Sequence, residues 1–552
     1  MRTRLRALFP LALALASLAT PGADPGSGAP PGRYEDLVPL FSEWRAFQKP
    51  KLVTGVPDYS AAAMAAQHKE LAAYQRRLAA IDSSGWPVSQ QVDWRIVEAE
   101  MHGLDFDHRV LRPWANNPAF YVTVFPSQSD QPAREGPFAF GGVELWTYQF
   151  PLAPERAADM AARLRTIPAL LEQARRNLVG SGHDLWVFGA RSIREQATDL
   201  EQLAARVGTA SAALTTEIAR AKKATEDFAA WLEAQAPSKG GPSGVGIENY
   251  DWYLKHVQLV PYTWRDEAAL MTRELGRAHT FLALEERRNA GLPELVPVAS
   301  AEEHARRFKE AVTEYMTFLR ERDILPIKNY MEPALRARIG RFTTGPREFF
   351  TEVDYRDPVI MRTHGYHWFD LARMEHEPHP SPIRKGPLLY NIFNTRTEGL
   401  ATGWEEMMLQ AGMFDARPRS RELIYVLVAQ RAARALGDLR MHANLVTLEE
   451  AAEFAVANTP RGWLRLDGAL VRGEQHLYLQ QPAYGTSYLI GKMQIEELIA
   501  ERRRQLGEKF TIKGFMQEFD AAGLIPMSLL AREILAQPFV SERNARLHSP
   551  HP

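Results

Sequence analysis

The chain has 552 residues, with 66 Lys and Arg against 67 Asp and Glu and a formal net charge of −1. Its 45% hydrophobic and 24% charged residues are globular proportions, which exclude disordered, collagen-like and coiled-coil chains, and the balanced charge argues against a protein built to grip nucleic acid. There is no cysteine, so disulfides, thiolate metal sites, cysteine nucleophiles and cysteine-linked lipids are excluded, and any metal must be held by His and carboxylate side chains.

In residues 1–19, Arg2, Arg4 and Arg6 precede an apolar run, and small Ser17 and Ala19 stand at the −3 and −1 positions of a cleavage site. This pattern reads as a secretory signal, since a transmembrane anchor needs about 20 apolar residues. Residues 20–56 read as a Pro/Gly-rich leader followed by a first helix. No later stretch is long and apolar enough to span a bilayer, so the expected product is soluble and exported, to the periplasm or beyond. A short β element is expected around residues 121–125. Residues 154–178 carry a helical pattern with Pro168 as its expected kink.

The Gly/Pro/Ser-rich stretch at 237–246 reads as a surface loop or hinge. It divides an N-terminal helical half, 57–236, from a C-terminal half, 247–552. Ser300 with Glu303, and Thr447 with Glu450, have capping-box spacing. Phe308, Ala311, Val312, Tyr315 and Leu319 recur at helical intervals after the first box, and Ile495, Leu498 and Ile499 mark a helix that should end near Gly507. The expected fold is all-α with minor β, two helical halves meeting at a deep cleft.

Potential ligands are densest between residues 363 and 406. His364 and His367 are three apart, neighbours on one helix face, with Asp370 three further on. Glu398 and Glu405 are seven apart and share a face if that stretch is helical. Two His and a Glu make the open ligand set of a catalytic zinc, so His364, His367 and Glu398 are the candidate metal ligands. Pro378 and Pro380 interrupt the pair His376 and His379, which reads as a loop. Adjacent Glu405 and Glu406 point about 100° apart on a helix, which speaks against a paired-carboxylate glycosidase. Nucleotide-binding and serine-hydrolase fingerprints are absent.

Further stretches carry a resemblance: Pro57-Asp-Tyr-Ser60, Gln91-Val-Asp-Trp94, Arg112-Pro-Trp114 with Asn117-Pro118, Pro151 through Arg156, and Ile167-Pro168 through Leu178. Glu398-Gly399 with Ala401 and Glu405 is similar to an EGWAxYxE signature. Arg431, Arg434, Asp438 and His442-Ala443 are similar to RxxRxxxDxxxHA, and Pro482, Tyr488 and Ile490-Gly491 to PGQAxxYxIG. In this order and spacing the chain resembles the bacterial domain-of-unknown-function 885 (DUF885) family over almost its whole length.

The resemblance implies an all-α fold related in plan to helical zinc peptidases. Its HExxPGHH motif and the Glu of EGWA are expected to hold a metal, with Glu405 orienting a ligand and His442 and Tyr488 as candidates to stabilise an oxyanion. This sequence departs at the motif. Ile360 and Met361 stand where HE should be, leaving His367 and Glu398 as matched ligands and no general base. Either His364 rebuilds the site around Zn2+ with a new base, Asp370 or Glu405, or the metal is lost. The two resulting expectations are an exported, peptidase-like metal-dependent hydrolase acting on short peptides or related amides, and a catalytically degenerate relative that binds a peptide or small molecule without turnover.

Overall fold

The structure, a computed structural model, describes residues 32–133, 135–208 and 211–536. The signal read at 1–19 and nearly all of the leader lie outside the described residues. Helices make up 69% and strands 2%, so the fold is all-α. The β content is two two-stranded pieces: Leu52–Val53 antiparallel to Val56–Pro57, and Val124–Phe125 parallel to Val143–Glu144.

Local sequence explains many helix limits. Thr447 and Glu450 form a reciprocal capping box at the helix Leu448–Asn458. Ser300 accepts from the Glu303 N–H, but the Glu303 carboxylate turns one residue further back, to the Ala299 N–H. The helix Tyr484–Leu506 ends where Gly507 takes a positive φ of 55°. At Pro168 the structure shows two helices rather than one kinked helix, Pro154–Leu164 and Ile167–Asn177. Proline sits in the first turn of the second, where its missing N–H is not needed.

Two apolar cores organise the chain. The smaller is built from residues between Tyr59 and Leu232, and the larger from Leu37 through Phe106 together with Tyr250 through Leu535. The helices Tyr34–Phe47, Ala61–Ala79 and Val88–Phe106 therefore contribute to the larger core, together with the residues after the linker at 237–246. The linker is tied down rather than free. Gly241 bridges to Gly182, and the Gly246 N–H donates to the His442 carbonyl at 2.8 Å.

At the centre of the larger core lies the helix Asn394–Gln410, buried over most of its surface. It lies against the helix Tyr484–Leu506 so closely that a Cβ on Gly399 would fall 2.4 Å from the Gly491 Cα. Yet this central helix buries Arg396, Thr397, Glu398, Thr402, Glu405 and Glu406. Buried polar groups at such density need partners, and those partners define the site.

Candidate metal centre

The helix Pro358–His364 opens with Asp357 accepting from the Val359 N–H, and Pro358 sits in its first turn. It stops at His364, and a second helix, Tyr366–His376, begins after Gly365. The one helix face expected for the two imidazoles is thus split between two helices. The rings still meet, with centroids 5.2 Å apart.

Each imidazole has a carboxylate beside it. His364 Nδ1 lies 2.9 Å from Glu405 Oε1, and Arg431 clasps the same carboxylate through two bonds of 2.8 Å. Glu405 thus fixes the His364 ring from one side and leaves Nε2 for another partner. His367 Nε2 lies 3.4 Å from Glu398 Oε2, at ion-pair distance, but is buried without a hydrogen bond.

The remaining members come from a segment without regular secondary structure, far away in sequence. Asp130 brings a ligand atom within 4.8 Å of ligand atoms on both His364 and His367. Gln131 donates from Nε2 to Glu398 Oε1 at 2.8 Å, stands 3.3 Å from His367 Nδ1, and accepts from the Thr397 hydroxyl at 2.7 Å. Tyr484 contacts Glu398 Oε1 at 2.5 Å through its hydroxyl, which also meets Glu135.

The electrostatics follow from this crowding. Burial alone would depress the His367 imidazole, but Asp130 and Glu398 outweigh it and push it up to about 9. Burial would likewise raise the Glu398 carboxyl, but the neighbouring imidazolium wins and holds it below the ordinary range. Glu405 is buried too, and Arg431 keeps it low. Burial and then Asp130 push Glu135 up to about 7. One hydroxyl hydrogen on Tyr484 cannot serve both carboxylates at once, so Glu135 and Glu398 compete for it.

The metal set read from sequence was His364, His367 and Glu398. The structure brings the two His together with Asp130 and sets Glu398 against His367. Asp370, weighed as a base, is held by Arg373 at 2.6 Å and Arg396 at 2.9 Å. His442 is fully buried with both nitrogens occupied: Nε2 is 3.0 Å from the Tyr478 carbonyl, and Nδ1 accepts from the Val245 N–H at 3.4 Å. Tyr488 packs against Tyr484 and beneath Arg434. The tyrosine that reaches the carboxylates is Tyr484, one helical turn earlier. Ile360 is fully buried in the larger core, and Met361 packs against that core.

The donor set fits a divalent cation. It offers an orphaned buried imidazole nitrogen, a second imidazole oriented by a carboxylate, and excess negative charge from Asp130 and Glu398, with no thiolate.

A family model described as "Bacterial protein of unknown function (DUF885)" matches residues 49–366 and 327–534. No curated protein matches the chain. Among solved structures, a putative lipoprotein of unknown function from Shewanella oneidensis is similar at 16% identity and a TM-score of 0.65, covering 91% of this chain and 98% of that one. A putative lipoprotein from Colwellia psychrerythraea is similar at 14% identity and a TM-score of 0.60, with the same coverage.

Proposed function

We propose that this chain, which belongs to the bacterial DUF885 family, is an exported metal-dependent hydrolase acting on short peptides or related amides. The observation that carries the reading is the convergence of Asp130, His364 and His367 ligand atoms within 4.8 Å of one another, with His367 Nε2 buried and making no hydrogen bond. His364 through Nε2, His367 and Asp130 would hold the cation, with Glu398 beside them; zinc suits such nitrogen and oxygen donors. Bound there, it would polarise an amide carbonyl and make its water acidic.

The chain's own residues supply the rest. Glu405, clamped by Arg431, orients His364. Glu135, with a carboxyl that gains and loses its proton near neutrality, is the candidate general base in place of the missing motif Glu. Tyr484 offers its hydroxyl to the developing charge. Export is supported by the signal pattern at 1–19 and by structural relatives described as lipoproteins, although this sequence has no cysteine to carry a lipid. Among the described residues no helix is long and apolar enough to cross a membrane.

A second reading, a binder without turnover, is favoured by one observation: Ile360 and Met361, at the family's His and Glu positions, face the core. The test is elemental analysis of the wild type, His364→Ala and His367→Ala, followed by hydrolysis of a peptide library. About one equivalent of a divalent ion, lost in both folded variants, with turnover, supports the hydrolase. Metal without turnover favours the binder, and no metal in any of the three overturns the proposal.

A further inference from the structure

Gln131 is only 4% exposed although it belongs to an irregular segment, and its carboxamide is seated at both ends. Its oxygen accepts from the Thr397 hydroxyl at 2.7 Å and its nitrogen donates to Glu398 Oε1 at 2.8 Å. Thr397 and Glu398 are successive residues of the rigid central helix, themselves 2% and 3% exposed. They present one donor and one acceptor at the spacing of an amide group. The neighbouring residue, Asp130, takes a place in the cation-binding group. A catalytic zinc needs an open position beside three protein ligands. His364 and His367 stay on their helices with Glu398 beside them, so withdrawal of Asp130 would free the position it holds.

Two cavities are lined by successive residues at the end of this segment. Pro132 lines one of about 400 Å³, whose charged lining is mixed: Lys328 is paired with Glu377, Arg373 with Asp370 and Asp520, and Lys385 also faces it. Ala133 lines one of about 280 Å³ walled by Trp114, Phe120 and Phe138. Leu388 lines both. Withdrawal of residues 128–132 would remove Pro132 from the wall of the first cavity and widen it on the side of the second. The aromatic wall of the second cavity suits a short peptide with an apolar side chain.

We propose that Thr397 and Glu398 form an amide-recognition subsite, that the Gln131 carboxamide is its tethered occupant, and that residues 128–132 are a plug that must leave before a peptide enters. The proposal rests on the hydrolase reading of the same site, but its deciding test needs neither metal nor turnover. Gln131→Ala removes the equivalent of acetamide. Thermal unfolding of the full chain is followed with acetamide, and with acetone as a shape control, in the wild type, Gln131→Ala and Gln131→Ala/Thr397→Val. Acetamide should raise the Tm of Gln131→Ala in a saturable way by a few degrees. It should not do so in the double variant, and acetone should have no such effect.

Hydrogen exchange of the wild type gives a second measurement that requires no substitution. The Gln131 N–H donates to Ser129 Oγ at 3.0 Å, and acetamide competing for the subsite should speed its exchange. Equal responses to acetamide and acetone, or unchanged Gln131 exchange, overturn the subsite. If peptides are hydrolysed, Gln131→Ala should raise kcat/KM at least fivefold, mostly through KM; a rate that is unchanged or lower overturns the plug. If no variant hydrolyses peptides while acetamide still binds, the hydrolase reading fails and the subsite stands.

Discussion

Glu405 holds two partners at once, the Arg431 guanidinium and the His364 ring, all in a buried environment. Replacing it by Gln keeps the volume and removes the charge. Arg431 is 1% exposed, and breaking a buried pair leaves an uncompensated cation at a cost of about 3–5 kcal/mol. The orienting bond to His364 weakens as well, and losing such a partner typically costs about 10–100-fold in metal affinity. Glu405→Gln should therefore lower both denaturant stability and zinc affinity, measured by urea unfolding and by competition with a chelator. A variant that loses stability but keeps full zinc affinity would mean that His364 is not a ligand. His442→Gln belongs to a different category, because that ring braces Val245 and Tyr478, stands 3.6 Å from Asp438, and is not in the Asp130–His364–His367 group. It should cost stability and leave metal content unchanged.

The central helix owes its position to small residues. A methyl on Gly399 would meet the Gly491 backbone at 2.4 Å, whereas one on Gly403 would come no closer than 3.4 Å to its nearest neighbour, Lys492 Cγ, an ordinary contact. Gly399→Ala should destabilise the protein by about 1–3 kcal/mol or more and, by shifting Glu398, weaken metal binding. Gly403→Ala should do neither, and equal losses in both would refute close helix approach as the cause. The neighbouring helix Trp264–Arg288 buries Glu267, with its carboxyl pushed up to about 8 by burial. At pH 6 the folded state keeps that proton and the unfolded state has lost it, so this stabilisation is present at low pH and fades as pH rises from about 4.5 through 8. Glu267→Gln should remove that decline, a difference of a few kcal/mol between pH 5 and pH 8 in urea unfolding. At this scale the sequence was readable where residues repeat with helical period. Glu398 and Glu405 lie on one helix as their spacing implies, and the Thr447–Glu450 cap and the stop at Gly507 follow from residue type. His364 and His367, by contrast, meet across a helix break that the spacing did not show. Asp130, Gln131 and Glu135 were not readable, because they lie on an irregular segment more than 200 residues earlier, and no local periodicity relates a loop carboxylate to a distant helix. Tyr484 and Tyr488 share one helix, and only packing distinguishes which hydroxyl arrives.

The two cores meet over this group. Val124 and Ala139, on either side of Asp130 and Gln131 in sequence, are anchored in the smaller core, whereas the helices carrying His364, His367 and Glu398 are anchored in the larger. Direct contacts also cross, including Asn117 Nδ2 to Gln480 Oε1 at 3.0 Å and the Gly136 N–H to Gln481 Oε1 at 2.8 Å, so docking of the cores does not depend on a cation alone. A cation shared by Asp130 and the two His would add to it. A ligand that binds only the docked state stabilises that state by about 2.7 kcal/mol at 100 times its Kd. Calorimetry of the full chain with excess zinc should therefore show the wild type unfolding in one cooperative transition at raised temperature. In Asp130→Ala, His364 and His367, with Glu398 beside them, would hold zinc more weakly. The ion then stabilises only the larger core, and the smaller core should unfold at a temperature that zinc no longer moves. Equal zinc shifts for both cores in Asp130→Ala would place the coupling in the direct contacts and leave Asp130 outside the cation's shell.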